Sequence, residues 1–301
     1  MLGIEPSLRA PEARVLPVYY IPKLIITQVL YTVKTLGTMI LYRPMNNQIV
    51  INKQLISYKS VNNLAGHNGA VVFLHGWRSE GNVWNGVLDS LSSKLLDKNI
   101  AFLTIDLPGF GSSQNPQQNF DINNYAEVVK GFIDKLELKQ VIIVGHSFGG
   151  RVGIKLAFRY PELISRLILV DSAGFAMNSR KKSILGTIAK IVRPMFRPVF
   201  MRSTRKMLYK LIGAEDYLAT LELQQTFVNI VNEDLSEDMK RVQCPTLIIT
   251  GEKDSDTPVE FGKRMHKIIS NSKFVVLRNA GHFSFLDNKD EFVNEVASFI
   301  N

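Results

Sequence analysis

The chain of 301 residues carries a single cysteine, Cys244, so no intramolecular disulfide can form and no cysteine cluster with metal-ligand spacing exists. A reducing compartment fits that scarcity. Acidic residues are missing from one long stretch, because none lies between Asp171 and Glu215, while ten basic residues from Arg180 to Lys210 fall there. With a net charge of +9, this concentration reads either as a solvated charged face or as attraction to a membrane surface or an anion. Zinc-finger spacing and aromatic-basic signatures are both lacking, so nucleic acid is not an expected partner. Nor is there an uncharged apolar run long enough to span a bilayer, since the apolar residues 24–42 are broken by Gln28, Lys34 and Gly37. Internal repeats and low-complexity segments are absent as well.

What is present is enough apolar material, 46% of residues, to bury one large core with a smaller insertion. Residues 1–47 read as an N-terminal extension. Within it Ile26, Val29, Leu30, Val33, Leu36, Gly37, Ile40 and Leu41 follow the i, i+3, i+4 spacing of one helical face, with Pro22 as a starter. That spacing predicts an amphipathic helix, which either packs on the main domain or lies in a bilayer interface beside Lys23 and Arg43. Peripheral membrane contact would then run through residues 15–45 and the basic stretch. A secretory signal is not expected, because Glu5 and Glu12 precede the apolar segment, Pro17 and Pro22 break it, and no small-residue cleavage site follows. The expected location is the cytoplasm, with membrane association as the alternative.

From residue 48 onward, short β-branched runs alternate with longer helical patterns, the sequence form of βαβ units and of a mostly parallel sheet with helices on both faces. Strands are expected at 49–51, 54–58, 70–74, 101–105, 141–144, 167–170, 246–250 and 274–277, and helices near 82–97, 122–136, 149–159, 259–269 and 289–300. Near-continuous runs such as Val141-Ile142-Ile143-Val144 are what strands covered on both faces require. Asp121 is placed to cap the second helix and Pro258 to open the fourth. Residues 174–241 break the alternation with helical patterns, Pro194 and Pro198 but no convincing strand, and read as an inserted helical cap. The core is thus expected over 48–173 and 242–301.

The strongest local signal is Gly145-His146-Ser147-Phe148-Gly149, directly after one strand pattern and directly before a helical one. The bare G-x-S-x-G spelling arises by chance in roughly one chain in ten of this length, so its placement carries the weight. A serine on such a sharp turn is held in a strained backbone, and the flanking Gly145 and Gly149 supply the missing bulk. The plain alternative is an ordinary glycine-rich turn. A hydroxyl at neutral pH is a weak nucleophile, so Ser147 needs a base and the base an orienting acid. His282, in Asn279-Ala280-Gly281-His282 just past the last strand pattern, is the expected base. Asp254, in Gly251-Glu252-Lys253-Asp254 after the preceding strand, is the expected acid, with Asp256 and Asp171 open as variants. An oxyanion needs backbone donors, and the amides of Phe148 and of Trp77, in His75-Gly76-Trp77, are the two candidates.

Together these residues resemble the α/β-hydrolase superfamily. His75-Gly76-Trp77, Asp106-Leu107-Pro108-Gly109-Phe110-Gly111-Ser112-Ser113, the Ser147 pentapeptide, Gly251-Glu252-Lys253-Asp254 and Gly281-His282 look like its landmarks in family order, over roughly residues 48–301. The resemblance implies an eight-stranded, mostly parallel sheet with a lid between the sixth and seventh strands, and hydrolysis without a cofactor or metal. Within the superfamily the chain looks most like the lidded branch of meta-cleavage-product C–C hydrolases, esterases and cofactor-free haloperoxidases. Serine at 147 sets it apart from neighbours that use an aspartate nucleophile. His282-Phe283-Ser284-Phe285-Leu286-Asp287 also fits a His-x4-Asp pattern of lipid-modifying acyltransferases of the superfamily.

The expected chemistry is therefore acyl transfer from an ester or related acyl or C–C bond to Ser147 and on to water. Cap side chains such as Phe175, Phe196, Phe200 and Tyr209 suggest a hydrophobic small-molecule substrate, though packing within the cap explains them too, and the basic residues between them would favour an anionic one. Two other classes stand beside this reading: a membrane-surface lipid hydrolase or acyltransferase, and a hydrolase-fold binding protein without catalysis. The complete set of three residues weighs against the latter.

Overall fold

The computed structural model of the protein describes residues 32–35, 38–41, 45–61, 66–176 and 221–301. The chain divides into two compact units, 1–43 and 44–301. In the first, β1 (Thr32–Thr35) and β2 (Thr38–Leu41) pair antiparallel, with Val33 opposite Ile40 and Thr35 opposite Thr38. This corrects the amphipathic helix expected over 24–42, because strands occupy eight of its positions. The reason lies in Thr32, Val33, Thr35, Thr38 and Ile40, whose β-branched side chains lose rotamer freedom in a helix and suit a strand. The remaining positions of that segment lie outside the described residues, and no helix among the described residues is long and apolar enough to cross a membrane.

Among its described residues the second unit holds eight strands: β3 (Met45–Ile51), β4 (Gln54–Val61), β5 (Gly69–Leu74), β6 (Ile100–Ile105), β7 (Val141–His146), β8 (Ile164–Val170), β9 (Thr246–Gly251) and β10 (Ser272–Leu277). Its helices are α1 (Asn85–Lys94), α2 (Ile122–Lys135), α3 (Phe148–Arg159), α4 (Gln224–Asn232), α5 (Ser236–Met239), α6 (Val259–Ile268), α7 (Ser284–Asp287) and α8 (Lys289–Ile300). The strands form one sheet in the order β10-β9-β8-β7-β5-β6-β4-β3. β3 with β4 and β4 with β6 are antiparallel, and the other five pairings are parallel. The mostly parallel eight-stranded sheet is the one the sequence led us to expect.

Burial explains the arrangement. Val71, Val72, Phe73 and Leu74 of β5 are all 0% exposed, so the strand is covered on both faces. Val72 and Leu74 join the core cluster that holds Tyr125 and Val129 of α2 and Val152 and Leu156 of α3. Phe73, pointing the other way, meets Trp84 with ring centroids 5.2 Å apart, and Trp84 stacks on Phe285 at 4.1 Å. Each such side chain contributes about 1.5–3 kcal/mol on burial, which favours a sheet sandwiched between helices over one with a wet face. Asp121 caps α2 as expected, accepting from the Asn124 amide while Asn124 Oδ1 accepts from the Asp121 amide, both at 2.9 Å. The helix expected over 82–97 is split into a 3-10 turn (Gly81–Trp84), α1 and a second 3-10 turn (Leu96–Lys98).

The cap expected over 174–241 falls between β8 and β9, the sixth and seventh strands of this sheet, but residues 177–220 lie outside the described residues. The described remainder contains a 3-10 turn (Leu221–Leu223), α4 and α5. Both of its ends are tied to α3. Arg151, 3% exposed, donates from Nη2 to the Phe175 carbonyl at 2.6 Å and from Nη1 to the Glu233 carbonyl at 2.8 Å. One turn further on, Lys155 pairs with Glu233 at 2.8 Å and with Asp238. Phe175 is buried against Phe261 and lies under the Arg264 guanidinium, so it is packing rather than pocket.

Candidate active site

The candidate nucleophile, base, acid and oxyanion donors all sit at or beyond the carboxyl end of a parallel strand. Ser147 follows β7 and opens α3 with φ 51 and ψ −109, a sparsely populated backbone state that costs about 1–3 kcal/mol and persists only where its surroundings enforce it. Here they do. The Ser147 amide donates to the Val170 carbonyl at 3.0 Å, and its carbonyl accepts from Gly150 at 3.1 Å and Ala173 at 3.3 Å. A Cβ on Gly145 would stand 2.5 Å from the Gly149 carbonyl oxygen, and one on Gly149 would stand 2.4 Å from that of Leu74. The turn therefore closes only with glycine at both positions.

The acid and base meet. His282 Nδ1 lies 2.9 Å from Asp254 Oδ2. Asp254 is 5% exposed and its acceptor sites are filled: Oδ1 accepts from the amides of Asp256 at 2.8 Å and Thr257 at 3.0 Å, and Oδ2 has Thr257 Oγ1 at 2.7 Å. Burial works to raise this carboxyl, but the His282 bond and charge, joined by the Thr257 amide and hydroxyl, hold it below the usual carboxylate range. Burial likewise works to lower His282, and the bond to Asp254 with the charges of Asp254, Asp256 and Asp171 raises it above the ordinary histidine value. Of the carboxylates that were open as acids, Asp256 contributes its amide and Asp171 does not bond the imidazole. Asp171 is 0% exposed, accepts from the amides of Gly251 at 2.8 Å and Ser284 at 3.0 Å, and is pushed up to about 7 by burial, against those bonds.

Ser147 is brought to this pair through its neighbour. His146 Nε2 donates to the His282 carbonyl at 2.7 Å, and the two rings stand 4.9 Å apart. Burial first, then the nearby His282, lowers His146 to about 3, so it stays neutral and keeps its proton on Nε2. Among the hydrogen bonds of the described residues, none joins Ser147 Oγ to His282; such bonds are commonly long in unliganded sites and tighten in the reacting complex. His75 closes the other side, with Nδ1 donating to the Gly76 carbonyl at 2.7 Å and Nε2 accepting from the Leu107 amide at 3.0 Å. Gly76 is pressed against the elbow, because a Cβ there would lie 2.8 Å from His146 Nδ1.

Trp77 and Phe148, the two expected oxyanion donors, meet edge to face at 5.4 Å. Trp77 also contacts Phe110 at 4.8 Å and Phe227 of α4 at 5.2 Å, giving an aromatic cluster at the end of β5. The sequence reading missed Phe227 and Thr257. Phe227 had no local signal, whereas Asp254-Ser255-Asp256-Thr257 is the kind of short polar turn in which a carboxylate caps following amides. Asp287 of the His-x4-Asp pattern accepts from the Gly281 amide at 2.8 Å, so it shapes the His282 loop. Ligand atoms of Asp254, Asp256 and His282 lie within 4.8 Å of one another, but Asp254 and His282 spend theirs on each other. Two open cavities of 360 and 580 Å3 are lined by other residues than Ser147, Asp254 and His282.

Comparison with known proteins points one way. A family model described as "Alpha/beta hydrolase family" matches residues 71–295. The chain is 28% identical over 255 residues to the AB hydrolase superfamily protein YisY of Bacillus subtilis, covering 78% of this chain and 93% of that protein. It is 25% identical over 258 residues to a 2-hydroxy-6-oxononadienedioate/2-hydroxy-6-oxononatrienedioate hydrolase of a Pseudomonas species, covering 80% and 90%. Among solved structures, an esterase from Exiguobacterium antarcticum superposes with a TM-score of 0.66 at 23% identity, over 85% of this chain and 99% of that one.

Proposed function

Since the chain belongs to the alpha/beta hydrolase family, we propose that it is a serine hydrolase that cleaves a carboxylic ester, or a related acyl or C–C bond, of a hydrophobic small molecule. The observation that carries this reading is the 2.9 Å contact of His282 Nδ1 with a buried, anionic Asp254, with the His282 carbonyl held by His146, the residue beside Ser147. With Nδ1 engaged by the carboxylate, Nε2 is the nitrogen left to take the Ser147 proton. Ser147 Oγ attacks the carbonyl carbon, the carbonyl oxygen becomes an oxyanion held by the Phe148 and Trp77 amides, and His282 hands its proton to the leaving group. Water then attacks the acyl-enzyme with His282 again as base, and the acid product leaves Ser147 restored. Asp254 keeps the imidazole oriented and balances its charge when protonated.

The aromatic cluster of Trp77, Phe110, Phe148 and Phe227 supports an apolar acyl or aromatic group beside the oxyanion donors. Relatives named as a C–C hydrolase and as pimeloyl-[acyl-carrier protein] methyl ester esterases fit a carbonyl substrate of that kind. The test is labelling by a fluorophosphonate probe, which should be complete for the wild-type protein and absent in Ser147→Ala. Labelling that persists in that variant ends the proposal, and a chain-length series of p-nitrophenyl esters then ranks acyl groups.

A further inference from the structure

β8 ends at Val170, and the next residue, Asp171, turns the chain with φ 45. Its carboxylate reaches two separate loops. Oδ1 accepts from Gly251, the last residue of β9 and the start of the turn that carries Asp254. Oδ2 accepts from Ser284, the first residue of α7 and two places past His282. The main chain of Asp171 adds to the tie, its amide donating to the Ile249 carbonyl at 2.9 Å and its carbonyl having Thr257 Oγ1 at 2.9 Å. One side chain thus spans the loops whose 2.9 Å contact makes the acid–base pair.

We propose that Asp171 is a positioning residue whose ionised carboxylate sets the spacing between Asp254 and His282, so that the active form of the enzyme carries no proton on Asp171. This rests on the reading of Ser147, His282 and Asp254 as the triad. An ionised carboxylate offers only acceptors and matches two N–H donors. Adding a proton removes the charge and makes one oxygen a hydroxyl, a weaker acceptor, so one of the two ties loosens. The titratable groups that interact with Asp171 are Asp254, on the turn after β9, and His282, on the loop before α7. Burial, with the charge of Asp254, favours the protonated form of Asp171, and the carboxylates around His282 favour its protonated form too, so both groups gain protons above the ordinary carboxylate range. Because the two interact, the protons belong to the pair, and activity requires both to be gone. Asp171 is 0% exposed and does not meet substrate, so its loss acts on kcat and leaves KM nearly unchanged.

The test is the rate of Ser147 labelling by a fluorophosphonate, followed with pH over the range where the protein stays folded, for wild type, Asp171→Asn and Asp171→Ala. Wild type should fall on the acid side with a limiting logarithmic slope of two, and both variants with a slope of one and a maximal rate lower by about tenfold or more. In p-nitrophenyl ester hydrolysis the variants should lose kcat and keep KM within about twofold. A wild-type slope of one overturns the proposal without any variant having to fold, and a slope of two retained in a folded Asp171→Asn overturns it as well. No labelling of wild type at any pH would instead remove the triad on which the inference stands.

Discussion

Replacing Thr257 by valine keeps the shape of a buried side chain and deletes one hydroxyl. That hydroxyl is 6% exposed as part of its residue and lies 2.7 Å from Asp254 Oδ2, with the Asp171 carbonyl at 2.9 Å as its other acceptor. A hydrogen bond to a charged group contributes about 1.5–3 kcal/mol. Asp254 keeps its two amide donors and His282, so the carboxylate remains paired, and the loss is confined to how firmly Oδ2 is aimed at the imidazole. If the whole contribution is felt when His282 carries its proton, the rate falls by a factor of about 10 to 150, at about 1.4 kcal/mol per tenfold. Sharing of the proton with the Asp171 carbonyl pulls the expectation toward the lower end. The assay is kcat for a p-nitrophenyl ester, with Thr257→Ser restoring most of the rate because it returns the hydroxyl. A folded Thr257→Val enzyme within twofold of wild type would refute the reasoning that this hydroxyl orients the acid.

Four further outcomes are expected. Gly149→Ala places a Cβ 2.4 Å from a backbone carbonyl that cannot retreat, so thermal unfolding should show a loss of about 1–3 kcal/mol or more, and an unchanged melting temperature would contradict the close approach. Asp254→Asn removes the group that raises His282, so the acid limb of the rate profile should move to lower pH while the plateau drops a hundredfold or more; an acid limb that stays in place would show that Asp254 does not set the imidazole. Asp254 itself, held below its ordinary value, contributes stability at neutral pH that is lost as pH falls through that lowered value, and the variant should show less acid destabilisation in denaturant titrations. Flotation with anionic liposomes, comparing the full chain with one lacking residues 1–45, should give no lipid-dependent difference if the substrate is a free small ester; flotation of the full chain alone would favour the membrane-surface reading.

The strands and the elbow were legible because each depends on local sequence. A buried parallel strand must be apolar on both faces, as Val141 to Val144 are, and a serine with φ 51 needs small flanking residues. The loops that carry Asp254 and His282 could be found because each follows a strand pattern by a few residues. What stayed hidden were contacts made across the chain: the His146 bond to the His282 carbonyl spans 136 positions, and the Asp171 bond to Ser284 spans 113. No spacing rule reaches that far. The strands at 32–35 and 38–41 were misread for a different reason, since apolar residues there satisfy the helical period while the threonines between them favour the extended form. Four-residue α7 was too short to leave a periodic signal.

The grip of Arg151 on the carbonyls of Phe175 and Glu233 has a consequence for how such an enzyme could be altered. Both attachments use main-chain oxygen atoms, which are the same whatever side chains lie between them. Any stretch spliced in between these two points would inherit the same footing on the helix that begins at Phe148, as a tool head fits a common handle. New specificities could then be grafted there without disturbing the turn at Ser147.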